Sequence, residues 1–318
     1  MALTTLDRRP TPQPETNSTG ARTGMSRQAR ETVAGYLFVA PSVLGLFVFL
    51  AVPMAASLVI SFFRVSGFGD YAFVGLDNYR RLLDDPVFGS SLATTAVFTA
   101  LFVPILFTVS LALALLLKKK RPGTGVMRSL IFAPNVVSLV VVGLVWQFLL
   151  TDNVGVVNRI LDTLGLPSPS WLGDPHVALP TVVLISVWFF MGYYMIIFLN
   201  GLNDIPSSYY EAARIDGAGR WSSFRHVTWP LLRPTSLFVL VMTTLTAIGA
   251  SGIFDLIYVM TKGGPDYSTQ VVMFYIYQRA FQLNDFGYAS AMAAVVSFCL
   301  MLVMFALLRI TKGGRTDA

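Results

Sequence analysis

Six long apolar stretches leave this chain few folds to choose from. They run over Ala34–Phe63, Ser90–Leu117, Leu130–Leu150, Val177–Leu199, Thr235–Met260 and Tyr288–Leu308. A helix needs about 20 residues to cross the ~30 Å hydrocarbon core of a bilayer, where every backbone amide must be paired inside the protein. Each stretch is long enough. The first exceeds the need, so it tilts or begins among the headgroups. With 54 % hydrophobic residues, 13 % charged residues and a mean hydropathy of +0.64, the chain is too apolar for a water-soluble domain. The expectation is an all-α, polytopic membrane protein with six transmembrane helices.

Lysine and arginine set the orientation, because short cytoplasmic loops carry an excess of them. With the N-terminus inside, the inner segments hold 17 basic residues and the outer segments 6, which accounts for all 23. Both termini are therefore expected in the cytoplasm, together with the loop 200–234. The net charge of +6 becomes a topological signature. The run Lys118-Lys119-Lys120-Arg121 abuts a span, where it suits anionic headgroups of the lipid bilayer, and no nucleic-acid module is present.

The expected division is a disordered cytoplasmic tail over 1–33, a first transmembrane helix with an outer interfacial segment over 34–89, a transmembrane domain over 90–309 and a second tail over 310–318. The first tail is rich in Thr, Pro, Arg and Gly. Within 73–88, the charged and apolar mix predicts a turn and a short amphipathic helix along the outer interface.

The most informative loop is Pro206–Pro230. Pro206 suits the first turn of a helix, and Ser208 with Glu211 has capping-box spacing. Ala212 and Ala213 favour helix. Asp216-Gly217 supplies a terminating glycine able to take positive φ, and a second short helix is predicted over Arg220–Thr228, stopped by Pro230. The result would be two short helices meeting at a glycine corner.

Chemistry is sparse elsewhere. The six stretches contain no Lys, Arg, His or Glu, and Asp255 is their single acid. Ion-coupled carriers usually keep titratable relays inside the bilayer. No phosphate-binding GxxxxGK[ST] loop is present. His176 and His226 fall on opposite sides, so they cannot share a metal, and Cys299 cannot pair within the chain. No enzyme or metal site is expected. A neutral polar solute would need hydroxyls and aromatic faces, so Trp188, Tyr193, Thr246, Ser251 and Asp255 are the candidates for its path. Each has a plainer role open to it: Ser and Thr bond their own helix, and aromatics pack between helices. Asp255 could equally pair with Lys262.

Two motifs carry a family resemblance. Glu211-Ala212-Ala213, Asp216-Gly217-Ala218, Val227 and Pro230 resemble the EAA motif of ABC-importer permeases, with Val227 where Ile is usual and Trp229 where Leu is usual. Thr261, Gly263-Gly264-Pro265, Tyr277, Ala280, Phe281, Phe286, Gly287, Ala289 and Ala291 resemble the TxGGP…YxxAF…FGxAxA pattern of the carbohydrate branch, the maltose and glycerol-phosphate type. Phe73–Tyr79 is similar to its FVGLxNY segment, and Asn158, Leu161, Gly165, Trp171 and Asp174 to its loop between spans three and four. Ala250–Asp255 lacks the paired asparagines of maltose permeases.

The resemblance implies a type I ABC importer fold and coupling of Glu211, Ala212, Ala213, Asp216, Gly217, Ala218 and Pro230 to a cytoplasmic ABC ATPase dimer. It also implies a second, non-identical permease subunit and an extracytoplasmic solute-binding protein that docks near Gly263, Gly264 and Pro265. No cofactor is expected in this chain, with ATP and magnesium on the partner ATPase. Two readings of other classes stand beside it: an ion-coupled secondary carrier using Asp255, and a membrane scaffold or sensor that docks an ATPase without moving solute.

Overall fold

The computed structural model describes residues 27–66, 69, 71–119, 121–152, 154–249 and 253–312. It divides into two compact units, Met1–Ala55 and Ala56–Ala318. The described residues of the first unit are helical. Helix α1 (Arg27–Leu46) runs through a π-turn (Phe47–Ala51) into α2 (Val52–Ile60). α1 begins inside the segment expected to be tail, where Arg27-Gln28-Ala29-Arg30 are all good helix formers. The apolar part, Ala34–Ile60, is 27 residues long, about 40 Å at 1.5 Å per residue, longer than a bilayer core.

The second unit begins at Ala56, within α2, and the first span ends at Ile60, three residues earlier than expected. Ser61 Oγ donates to Leu58 O and lies 2.7 Å from Tyr79 Oη, while Asn78 Nδ2 donates to the carbonyls of Ser61 and Phe63. Side chains from beyond the span thus occupy the carbonyls at its end. Phe63 begins a two-stranded hairpin, β1 (Phe63–Val65) antiparallel to β2 (Tyr71–Phe73), with Phe63 opposite Phe73. The sequence reading missed this hairpin, whose strands are only three residues each. Helix α3 (Asp77–Leu83) comes next, where a short helix is expected.

Helix α4 (Pro86–Leu117) and α8 (Pro175–Asn203) form the spine. Phe98, Phe102 and Leu106 of α4 and Met195, Phe198 and Leu202 of α8 are completely buried. Phe107 meets Phe198 edge to face at 5.1 Å, and Ser110 Oγ donates to Met191 O across the pair. Between them lie α5 (Thr124–Phe132), a 3-10 turn (Ala133–Val136), α6 (Leu139–Leu149) and α7 (Val156–Thr163).

The expected third span is not one straight helix. α5 with its 3-10 turn and α6 meet at 96°. α5 has 9 residues and α6 has 11, about 14 and 17 Å, so neither half crosses a bilayer alone. Pro134 lacks an amide proton, Asn135 Nδ2 donates to Phe189 O of α8, and Val137 is extended. By length and composition the structure has five helical stretches able to cross a membrane, of which Arg233–Met260 is divided into two helices and runs across residues outside those described, or six with the bent pair counted as one.

Helices α9 (Ser207–Ile215) and α10 (Arg220–Ser223) come after α8. A π-turn (Phe224–Thr228) and α11 (Trp229–Leu231) lead into α12 (Arg233–Ile248) and α13 (Ile253–Met260). Helix α14 (Val272–Tyr277), a third π-turn (Gln278–Gln282) and α15 (Phe286–Lys312) complete the described chain. Gly287 lets α15 pass against β1: a Cβ there would sit 2.0 Å from Phe63 O. The FGxAxA pattern thus has a packing cause, since Ala289 and Ala291 are buried too.

One carboxylate ties this end of the unit together. Asp85 Oδ1 caps α4 by accepting from the amides of Val87 and Phe88. Its Oδ2 accepts from Tyr275 Oη at 2.6 Å and Tyr288 Oη at 2.7 Å, with Arg279 Nη2 at 3.7 Å. Arg279 in turn donates to Tyr275 Oη, so that hydroxyl must give its own proton to Asp85. Arg81 lies 4.2 Å over the Tyr288 ring and pairs with Asp285 at 2.7 Å. Burial pushes the Asp85 carboxyl up, but the hydrogen bonds from Tyr275, Tyr288 and the two amides outweigh it and hold it below the ordinary carboxylate value.

Because the folded value is the lower one, this stabilisation is complete above the unfolded value of about 3.9 and is lost as pH falls through the folded one. Asp85→Asn turns an acceptor into an amide donor facing a committed donor. It is expected to lower stability by roughly 1.5–3 kcal/mol. Thermal unfolding in detergent at pH 7 checks this, and the variant should approach wild type only below about pH 4.

Candidate functional site

The Pro206–Pro230 loop protrudes at the end of the bundle where α4 and α8 finish. Pro206 is the N-cap residue of α9, with φ −57° and ψ 139°, so the helix starts at Ser207 and no side chain caps it. The expected capping box of Ser208 and Glu211 does not form, because Ser208 already lies inside the helix. Gly217 turns the chain with φ +77°, as Asp216-Gly217 predicts; the amides of Gly217 and Ala218 bond Arg214 O and Ala213 O. Pro230 does not stop the second helix. The π-turn after α10 absorbs an extra residue, and Pro230 sits in the first turn of α11, where its missing amide proton costs nothing.

Glu211, Ala212, Asp216 and Gly217 are exposed, Ala213, Ala218 and Pro230 half-buried. The apolar side chains Ile215 (86 % exposed), Trp221 (72 %) and Tyr209 (52 %) also face outward, with Trp221 stacked on Phe224 at 5.6 Å. These exposed large apolar groups on two short helices outside the apolar spans form a surface of the kind that proteins, ligands or membranes contact.

The solute-path candidates do not converge on one point. Trp188 packs edge to face on Trp146 of α6 at 5.6 Å. Tyr193 packs on Tyr194, whose hydroxyl lies 3.1 Å from Thr246 Oγ1. Thr246 donates to Met242 O of its own helix, as Thr243 and Thr244 do to Val239 O and Leu240 O, so the plainer role applies to these hydroxyls. Ser251 lies outside the described residues. Asp255 stands in the first turn of α13, half-buried, and makes no hydrogen bond or ion pair among the described residues. The pairing with Lys262 does not form.

The Thr261–Gln270 loop is folded on itself. Lys262, Gly263, Asp266 and Tyr267 all have positive φ. Thr269 Oγ1 lies 2.7 Å from both Thr261 Oγ1 and Gly264 O, and Gln270 Nε2 donates to Gln278 Oε1 at 2.6 Å. Gly263 is buried and Gly264 and Pro265 are half-buried, so the Gly-Gly-Pro run shapes the turn while Lys262, Asp266 and Tyr267 provide its exposed face. In the loop before α8, Trp171 Nε1 donates to buried Asn158 Oδ1 at 2.6 Å, which makes Trp171 a pin for that loop as well as an apolar surface.

Sequence reasoning missed the Asp85 cluster. The Asp-Pro pair before an apolar run could have marked Asp85 as a helix cap, but no local signal brings Tyr275, Arg279 and Tyr288 to it. His176 lies in the first turn of α8 and His226 in the π-turn after α10, and no group of three potential metal ligands exists among the described residues.

A bundle of long apolar helices with a short helical elbow outside them fits a multi-pass membrane protein. Residues 105–312 match the family described as binding-protein-dependent transport system inner membrane component. This chain belongs to that family. It is 36 % identical over 285 residues to YesP, a probable ABC transporter permease protein of Bacillus subtilis, covering 88 % of this chain and 91 % of that one. It is 36 % identical over 279 residues to the lactose transport system permease protein LacF of Rhizobium radiobacter, covering 86 % and 92 %. Its fold is that of a bacterial ABC transporter involved in the import of the acidic polysaccharide alginate, with TM-score 0.79 and 22 % identity over 92 % of this chain and all of that one.

Gly263→Ala would place a Cβ 1.9 Å from Gln270 Oε1 and hold it at φ +84°. The expected cost is at least 1–2 kcal/mol from the backbone alone. It would be seen as a lower unfolding temperature and as faster proteolysis of this loop, with the α9–α10 elbow unaffected.

Proposed function

We propose that this chain is the permease subunit of an ATP-driven importer that moves a sugar or related polyol across the cytoplasmic membrane by alternating access. The observation that carries the reading is the exposed α9–α10 elbow, turned at Gly217 with φ +77° and showing Ile215, Trp221 and Tyr209 outward. Such a surface suits the cleft of a cytoplasmic ABC ATPase. The partner dimer holds ATP and magnesium, because this sequence has no phosphate-binding loop of its own. The basic-residue asymmetry supports placing the elbow and both termini in the cytoplasm.

A second, non-identical permease completes the pore, and an extracytoplasmic solute-binding protein delivers cargo at the opposite end, against the surface shaped by Gly263, Gly264 and Pro265. Closure of the ATPase dimer drives the elbows, the two permeases rock, and cargo passes between them. The lactose-transport relative supports a carbohydrate as cargo. Trp188, Tyr193, Thr246, Ser251 and Asp255 are the side chains offered for contact along the path. Asp255, at the start of α13 and without a polar partner among the described residues, is the strongest of them: its carboxylate can accept two hydroxyl protons.

The test is uptake by vesicles holding the permease pair, the ATPase and the binding protein. Accumulation that requires ATP and survives a protonophore supports the reading. Uptake that survives ATP depletion but collapses with the protonophore would instead select a secondary carrier working through Asp255, and no accumulation at all a scaffold.

Two substitutions sharpen it. A Cβ at Gly217 meets nothing within 4 Å, so the first cost of Gly217→Val is that of holding a β-branched residue at φ +77°, about 1–2 kcal/mol. Transport per ATP is expected to fall while the protein stays in the membrane, and normal uptake with full ATPase stimulation would refute the coupling role. Asp255→Asn is expected to weaken solute affinity by about 1.5–3 kcal/mol without loss of assembly, read from the solute dependence of uptake.

A further inference from the structure

The elbow is tied to the bundle by a short polar chain. Tyr210, with Ala213, lies on the half-buried side of α9. Lys118, immediately after α4, donates from Nζ to Tyr210 Oη at 3.1 Å and lies 4.4 Å from the ring centroid. Tyr210 Oη is 3.1 Å from Thr228 Oγ1. An ammonium can only donate, so the tyrosine hydroxyl accepts from Lys118 and is left free to give its proton to Thr228. Thr228 is 5 % exposed and closes the π-turn that feeds α11 and α12. Three elements therefore meet at one phenol: the end of α4, the elbow helix α9 and the root of α12.

The seat is firm on the α4 side. Leu117 O, at the carbonyl end of that helix, accepts from Arg128 Nη2 of α5, a cation placed where the helix dipole favours it. The π-turn matters as well. One inserted residue rotates the downstream helix by about 100°, and Thr228 stands at the end of that turn.

We propose that Lys118, Tyr210 and Thr228 form the joint through which movement of α9 reaches α4 and α12, with Tyr210 as the positioning residue. The inference rests on the coupling role proposed above and adds to it the residues that carry the displacement inward. A push on α9 that met only apolar contacts could be absorbed by sliding. A directed hydrogen-bond chain with an aromatic–cation contact has one preferred geometry, so the three elements move together.

The experiment compares wild type with Tyr210→Phe, Thr228→Val and the double variant in vesicles containing the permease pair, ATPase and binding protein. Tyr210→Phe removes both hydrogen bonds and keeps the ring under Lys118; Thr228→Val removes one hydroxyl at nearly constant volume. Each is expected to lower solute moved per ATP hydrolysed by roughly fivefold or more, the lower range for coupling between sites. Complex assembly should be unchanged and Thr228→Ser should restore the ratio. The double variant should be no worse than the worse single, because the residues act as one chain.

Wild-type ratios in both single variants, or independent multiplying losses, would overturn the joint while leaving the proposed function standing. Loss of assembled complex that Thr228→Ser does not repair would show a merely structural contact and overturn it too. Wild-type vesicles without ATP-driven uptake would remove the proposed function, and the joint with it.

Discussion

Helix α4 is the member on which the rest of the second unit is hung, and it is fixed at its two ends by different chemistry. At its start, Asp85 accepts two helix amides on one oxygen and two tyrosine hydroxyls on the other, which joins α4 to α14 and α15. At its finish, Arg128 caps Leu117 O and Lys118 reaches Tyr210. Along its length it offers Phe98, Phe102 and Leu106 to the core. In a bilayer, apolar packing alone discriminates poorly between helix faces, because lipid tails are as apolar as leucine. Polar contacts at the ends supply the register that the apolar middle does not.

This division of labour explains why the interior is nearly free of titratable groups. Charges are concentrated at the helix ends, where partners and water are available, and the spans are filled by aromatic and aliphatic side chains whose hydroxyl neighbours bond their own helices. Asp255 breaks that rule. A half-buried carboxylate within an apolar span is costly without a partner. Its place in the first turn of α13 provides some compensation through the helix dipole.

Much of the site was legible from local chemistry. The positive φ at Gly217 stems from a glycine behind a run of helix formers, and α3 from the charged and apolar mix near Tyr79. The misreadings share a cause. Ser208 looked like a cap because spacing alone cannot reveal that the helix already begins at Ser207, with Pro206 as its extended N-cap residue. Pro230 looked like a stop because a π-turn, which admits proline into the next first turn, has no sequence mark of its own. The third span looked continuous because hydrophobic length alone carries no sign of a bend; here the Asn135 contact with Phe189 O accompanies a 96° bend.

Composition and order alone determined that this is a membrane protein of about six spans, that it lacks a phosphate-binding loop, and that residues 206–230 form a polar elbow between apolar segments. Those conclusions depend on hydrophobic length and on local backbone preference, both of which are properties of contiguous residues. Only the tertiary structure decided that Asp85 meets Tyr275 and Tyr288, that Gly287 passes beneath Phe63, and that Lys118, Tyr210 and Thr228 converge. Those pairings join residues from 18 to 224 positions apart. Which distant polar groups find each other is set by how the helices pack, and no single stretch of the chain carries that information.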